Sequence, residues 1–252
     1  VFRIVIPARF GSSRLQGKPL LELAGKPMLQ WVYELALRTD AREIVIATDD
    51  VRIVEAAAGF GAPVLMTDAS HASGTDRIAE VARRRAWPGD AIVVNLQGDE
   101  PAMPPALVNQ VAGLLAAHEG ADLATLAAPV SGLEEYLDPN VVKVVTDAAG
   151  RALYFSRAPI PWCRDGAAAD SPRRHEAARR HIGLYAYRVD ALLRLAALPV
   201  APLEDAEKLE QLRALHHSME IRVADAACRP GPDVNTAQDL ARARAALGAG
   251  ID

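Results

Sequence analysis

Short apolar runs alternate with amphipathic stretches along the first half of the chain. Arg3–Ile6 is an apolar run of strand length, and Glu43–Thr48, Pro63–Met66 and Ala91–Leu96 repeat the pattern. Between them the apolar period changes from continuous to helical. Pro27 opens a segment whose Met28, Val32, Leu35 and Ala36 fall on one helix face. An Ala-rich helix follows Asp49 and Asp50, and Thr75 or Asp76 is placed to cap a helix running through Arg84. Pro104 and Pro105 open another helix, with Leu107, Val111, Leu114 and Leu115 on one side. Buried strands alternating with helices predict a mostly parallel α/β sheet covered on both faces.

After about residue 128 the pattern changes. Val141–Thr146, the turn residues Asp-Ala-Ala-Gly and Arg151–Phe155 predict a β-hairpin. Residues 164–180 are polar and aperiodic and are expected to form a mobile loop or lid. Ile182–Tyr187 reads as a strand, Leu203–Leu215 as one amphipathic helix, Met219–Ala224 as a strand, and Ala237–Leu247 as a closing helix. One domain over 1–252 is expected, with about 129–200 forming a smaller lobe.

Composition narrows the classes. With 252 residues, half of them apolar, the chain can bury a large core. A net charge of -4 argues against a protein that coats nucleic acid. No membrane span is evident, and residues 1–20 lack the features of a signal peptide. The two cysteines, Cys163 and Cys228, stand far apart, which fits a reducing compartment. A cytoplasmic location is the expectation.

The most informative chemistry follows the first strand. Residues 6–20 read IPARFGSSRLQGKPL, a loop of small residues carrying Arg9, Arg14 and Lys18. Small residues allow close backbone approach, and three cations suit a polyphosphate. The spacing of Gly11 and Gly17, and Pro19 after Lys18, exclude a P-loop; the G-x-G-x-x-G dinucleotide loop is absent as well. At 95–101, Asn-Leu-Gln-Gly-Asp-Glu-Pro ends a buried strand and sets Asp99 on a bare corner after Gly98. An oxygen ligand there suits Mg²⁺ shared with substrate phosphates. Ser73, Gly74 and Thr75 offer small polar groups for a base or ribose, and His71 reads as a turn histidine. Along 181–187, His181, Gly183, Tyr185 and Tyr187 alternate onto one strand face, suited either to a sugar or to an aromatic ladder.

Together these segments resemble the 3-deoxy-manno-octulosonate (Kdo) cytidylyltransferases. The likeness rests on IPARFGSSRLQGKPL at 6–20, HASGTDRIAEV at 71–81, VNLQGDEP at 94–101, DPNVVKVV at 138–145, ALYFSRAPIPW at 152–162, RHIGLYAYR at 180–188 and LEQLRAL at 209–215. They lie in the family's order and span nearly the whole chain. The resemblance implies a Rossmann-like sheet of the nucleotide-diphospho-sugar transferase type, with a small β-rich lobe for dimerisation and sugar binding. It implies transfer of CMP from CTP to the anomeric hydroxyl of Kdo, with release of pyrophosphate, for lipopolysaccharide biosynthesis. Mg²⁺ dependence and a cytoplasmic homodimer are implied too.

By the same resemblance, Arg14, Lys18 and Asp99 are catalytic. Ala8, Arg9, Ser12 and Ser13 line the phosphate loop, and Ser73, Gly74, Thr75 and Gln97 sit near cytosine and ribose. Arg157, His181, Gly183, Tyr185 and Gln211 line the sugar pocket, and Asp99 and Asn235 are the metal positions. Two departures stand out. Gln16 replaces a proline of the family loop, and Asn235 stands where the family carries an aspartate ligand, with Asp233 two residues away. A related acceptor (8-amino-Kdo or a sialic-acid-like acid) and a weakly active nucleotide-binding paralogue remain open alternatives.

Overall fold

The first strand, β1 (Phe2–Ala8), is buried along its whole length because it runs down the middle of the sheet. The computed structural model describes residues 1–11, 15–164, 175–232, 234, 239–241, 243 and 244. After β1 come the small hairpin β2 (Glu22–Leu23) and β3 (Lys26–Pro27), α1 (Met28–Ala36), β4 (Ala41–Thr48), α2 (Val51–Gly59), β5 (Val64–Met66), α3 (Gly74–Arg84), β6 (Ile92–Asn95) and α4 (Pro105–Ala116). The second half contributes β7 (Leu123–Pro129), α5 (Leu133–Leu137), β8 (Lys143–Thr146), β9 (Ala152–Ser156), β10 (Arg179–Arg188), α6 (Val189–Ala197), α7 (Pro202–Glu207), α8 (Gln211–His216) and β11 (Ile221–Asp225).

The main sheet has the order β11-β7-β10-β6-β1-β4-β5. Its pairings make six of these strands point one way, with β10 running against them between β7 and β6. The hairpin β8–β9 attaches to β10. From β1 the chain steps to β4 and β5 on one side and then returns to β6 on the other. The order therefore reverses between β1 and β6, and the loops leaving those two strands open into a crevice. Open α/β sheets bind ligands at such a point.

Two apolar layers hold the sheet. Ile4, Ile6 and Ile46 pack with Leu29 and Val32 of α1 and Val108 and Val111 of α4 on one face. Val5, Val45 and Val93 pack with Ile78 of α3 and Leu192 of α6 on the other. The predicted α1 stripe is fully realised: Met28, Val32, Leu35 and Ala36 are all buried. At about 1.5–3 kcal/mol for each large apolar side chain, a charge at Val32 would open this layer.

Several expectations need correction. Ser73, not Thr75 or Asp76, caps α3; its Oγ accepts from the Asp76 amide while the Asp76 carboxylate accepts from the Ser73 amide. The single helix expected over 203–215 is two, because Lys208 adopts a left-handed conformation (φ 52°) that ends α7 before α8 begins. Arg179 and Arg180 belong to β10 and not to the preceding loop, and residues 165–174 of that loop lie outside the described residues. Leu114 is only partly buried on α4. Strand β7 and helices α5 and α6 were not expected. The closing helix expected over 237–247 lies largely outside the described residues.

Candidate active site

The loop after β1 returns towards the sheet through a tight turn. Gly17 has φ 66°, its amide donates to the Phe10 carbonyl at 2.9 Å, and a Cβ there would press on the Phe10 ring at 3.1 Å. The Phe10 ring is covered on one side by the Arg52 guanidinium. This turn delivers Lys18 into the crevice. Gly98, at the end of β6, passes so close to β1 that a Cβ would lie 3.0 Å from the Pro7 carbonyl. That close approach sets Asp99 directly opposite the loop. Lys18 Nζ donates to Asp99 Oδ2 at 2.6 Å; the two side chains are 12% and 33% exposed.

The Val234 amide donates to the Asp99 carbonyl at 3.0 Å, so the late chain also reaches this corner. Asn235, Asp233, Ser12, Ser13 and Arg14 lie outside the described residues. Ala8 is the buried last residue of β1, and Arg9 follows it half-buried.

Beside this corner is a cavity of about 150 Å³. Gly74, Thr75, Gln97, Gly183, Tyr185 and Gln211 line it, so six of the expected substrate residues meet in one place. A Cβ at Gly74 would come within 3.5 Å of Pro7 and 3.9 Å of the Gln97 amide. Gln97 Nε2 donates to Asn95 Oδ1 at 3.1 Å, which orients its amide along the strand end. A Cβ at Gly183 would meet no protein atom within 4 Å, so the space in front of it is open to a ligand.

The expected face of β10 forms despite an irregularity. Ile182 pairs with Leu126 but Tyr185 pairs with Thr125, so two extra residues bulge from β10. An insertion of two keeps the alternation of faces. His181 and Tyr185 therefore stay together, with ring centroids 5.2 Å apart, and Tyr187 follows at 5.8 Å from Tyr185. The Tyr185 hydroxyl is buried, with the Thr125 side chain as a polar neighbour and no hydrogen bond of good geometry. Burial raises the pKa of both tyrosines and lowers that of His181 to about 3, so all three are neutral at pH 7.

The remaining expected residues are placed differently. The Ser73 hydroxyl is engaged in the helix cap and lies 3.5 Å from Glu210 Oε1. His181 does not line the cavity but stands against its Tyr185 wall, and Arg157 does not line it either. Arg157 Nε donates to the Glu207 carbonyl at 2.7 Å and a terminal nitrogen to the Pro139 carbonyl at 3.0 Å. His71 is the turn histidine expected, bonded to Glu80 Oε2 at 2.6 Å.

Sequence reasoning passed over Glu210, which lines the cavity beside Gln211. Burial raises its pKa, opposed by a hydrogen bond from Thr75 and by the charge of Arg213. A carboxyl in that setting acts as a polar contact that can hold a proton. Its only signal in the sequence was an acidic residue at the start of an otherwise ordinary amphipathic segment.

Among the described residues no cluster of three or more His, Cys, Asp or Glu side chains is arranged to hold a metal ion. The half-buried Asp99 carboxylate at the crevice, now paired with Lys18, nonetheless fits Mg²⁺, which takes most of its ligands from phosphates and water.

Comparison with known proteins identifies the family and the fold. Residues 3–221 match the family model described as Cytidylyltransferase. A 3-deoxy-manno-octulosonate cytidylyltransferase of Thioalkalivibrio sulfidiphilus is 56% identical over 241 residues, covering 96% of each chain. One from Pseudomonas fluorescens is 53% identical, covering 98% of each. A solved CMP:2-keto-3-deoxy-manno-octonic acid synthetase complexed with CTP superposes with a TM-score of 0.90 at 42% identity, over the whole of both chains. A cytidylyltransferase of Leptospira borgpetersenii, 16% identical with a TM-score of 0.64, shares the fold.

Proposed function

The chain belongs to the 3-deoxy-manno-octulosonate cytidylyltransferases, and from that membership we propose how its crevice works. The enzyme transfers CMP from CTP to Kdo and releases pyrophosphate. The observation that carries the mechanism is the meeting of Lys18 and Asp99 where the strand order reverses.

The anomeric hydroxyl of Kdo attacks the α-phosphorus of CTP. A new P–O bond forms, the bond to the bridging oxygen breaks with its electrons leaving on pyrophosphate, and the hydroxyl proton passes to water. Such a step needs alignment and charge neutralisation more than a covalent catalyst. Lys18 lies at the crevice to meet the negative charge, and Arg9 and Arg14, close to it in the sequence, would complete the set. Gln97 and Thr75, on the wall of the adjoining cavity, supply polar contacts for the nucleoside. On the β10 side, Gly183 leaves room for the sugar acid, and Tyr185 and Gln211 offer it hydrogen bonds. Arg157 would have to turn towards the cavity to reach the sugar carboxylate, since the Glu207 and Pro139 carbonyls hold its side chain outside the wall.

Asp99 would hold Mg²⁺, with Asn235 as a neutral second ligand. When bound, the ion supplies further neutralisation of the phosphates. The reading extends to a cytoplasmic homodimer. Leu153 and Trp162 on the β-rich lobe are 61% and 59% exposed, apolar surface that a second copy would cover. Among the described residues no helix is long and apolar enough to cross a membrane.

The test is product analysis with CTP and a panel of acceptors. CMP-Kdo as the main product supports this reading. Preference for an 8-amino or nine-carbon acid would move the acceptor, and binding without turnover would leave a nucleotide-binding paralogue.

A further inference from the structure

Thr125 is a fully buried polar residue in the middle of β7, where an apolar side chain would be expected. Its Oγ1 lies 3.0 Å from the Ile182 carbonyl, 2.8 Å from the Leu184 carbonyl and 2.9 Å from His181 Nε2. Leu184 lies in the bulge of β10, and His181 and Ile182 are the paired residues just before it. A threonine hydroxyl has one proton and two lone pairs. The carbonyls can only accept, so the proton goes to them. If Oγ1 donated to His181 instead, two buried carbonyl oxygens would face its lone pairs with no donor between them. Towards His181 the hydroxyl must therefore accept, which requires a proton on Nε2.

The ring is neutral, because burial and the neighbouring Arg180 charge lower its pKa to about 3. With Nε2 protonated, Nδ1 carries a lone pair. Among the described residues Nδ1 makes no hydrogen bond, and His181 keeps part of its surface open. The ring is also held in place from both sides. Phe155 meets it edge-on at 5.0 Å, and Tyr185, a wall of the cavity, lies at 5.2 Å.

We propose that Thr125 is a positioning residue that fixes His181 in the Nε2–H tautomer, so that Nδ1 accepts a hydrogen bond from a hydroxyl of the sugar acid. This rests on the proposed function and on the family resemblance that puts His181 at the sugar, beside the cavity wall formed by Tyr185. The same contact pins the bulge that opens the space in front of Gly183. Thr125 thus selects for an acceptor that presents a hydroxyl donor, without touching the substrate itself.

The experiment is ¹⁵N NMR of histidine-labelled full-length protein, with steady-state kinetics of Thr125→Val and Thr125→Ser. The wild type and T125S should show protonated Nε2 and bare Nδ1 at His181, and T125V should lose that preference. KM for Kdo should rise about tenfold in T125V, the scale of one neutral hydrogen bond. KM for CTP should stay within about twofold, and T125S should restore the wild-type values. A proton on Nδ1 in the wild type overturns the proposal even if T125V fails to fold. Unchanged tautomer and KM in a folded T125V overturn it as well. If the tautomer follows Thr125 but Nδ1 does not shift when Kdo is added, His181 is not at the sugar, and the acceptor role falls while the positioning contact stands.

Discussion

Lys18 Nζ lies 2.6 Å from Asp99 Oδ2 although 81 residues separate them in the chain. The contact exists because β1 and β6 are parallel neighbours and both release their loops at the same edge of the sheet. In the substrate-free crevice the two charges satisfy each other. On the proposed reading, a triphosphate entering there would compete with Asp99 for Lys18, and Asp99 would become available to a cation that travels with the phosphates.

Removing the lysine should therefore affect rate far more than stability. Lys18→Met is expected to lower kcat by about 10²–10³, the scale of a lost electrostatic contact to the transition state. Its Tm should move little, since partly exposed ion pairs contribute about 0–1 kcal/mol. Parallel pyrophosphate-release assays and thermal melts check this; a collapse of Tm with near-normal kcat would make Lys18 structural.

Glu210 predicts a pH-dependent gain. Its pKa is raised in the folded protein, chiefly by burial, so the folded state binds its proton more readily than the unfolded state. Stability is therefore lost as pH rises from the unfolded pKa through the folded one. Glu210→Gln removes that loss. It should melt higher than the wild type at pH 8, with the difference shrinking as pH falls and closing below about pH 4, where the carboxyl becomes protonated in both states. A constant difference across that range would contradict the assignment.

His181 predicts the opposite slope. Its folded pKa of about 3 lies below the unfolded histidine value, so the unfolded state takes up the proton first. Stability from this residue is present at neutral pH and is lost as pH falls through about 6.5 towards 3. His181→Gln should flatten the acid limb of a Tm-against-pH curve. The kcat/KM profile for Kdo should show no inflection from this group between pH 5 and 8. An imidazole titrating near 6.5 by NMR would refute its burial in neutral form.

Much of this was legible in the residues themselves. The loop of Arg9 and Lys18 and the corner at Gly98–Asp99 lie on strand ends, and strand ends of a parallel sheet converge. Apolar period alone located β1, β4, β5 and β6 and the buried face of α1. It missed β7, because Ala124, Ala127 and Ala128 give its run no strong preference for strand over helix. It also joined α7 to α8, because the amphipathic period crosses Lys208, whose left-handed backbone leaves no mark in the hydrophobic pattern. The engagement of Arg157 by carbonyls and the contacts of Thr125 arise from pairing between distant strands. No local pattern encodes them.

Asn235 should weaken metal binding relative to a carboxylate, since an amide oxygen brings no charge. Asn235→Asp is expected to lower the Mg²⁺ concentration for half-maximal activity. A Mg²⁺ titration of the two proteins at saturating CTP and Kdo reads this directly, and superimposable curves would remove residue 235 from the metal site.

The most direct test is pyrophosphate release from CTP and Kdo by the wild type and by Asp99→Ala, each shown to be folded by its melt. Turnover by the wild type, and its loss in a folded Asp99→Ala protein, is the predicted result. Equal release by both proteins would mean that the Lys18–Asp99 corner is not where CTP is cleaved.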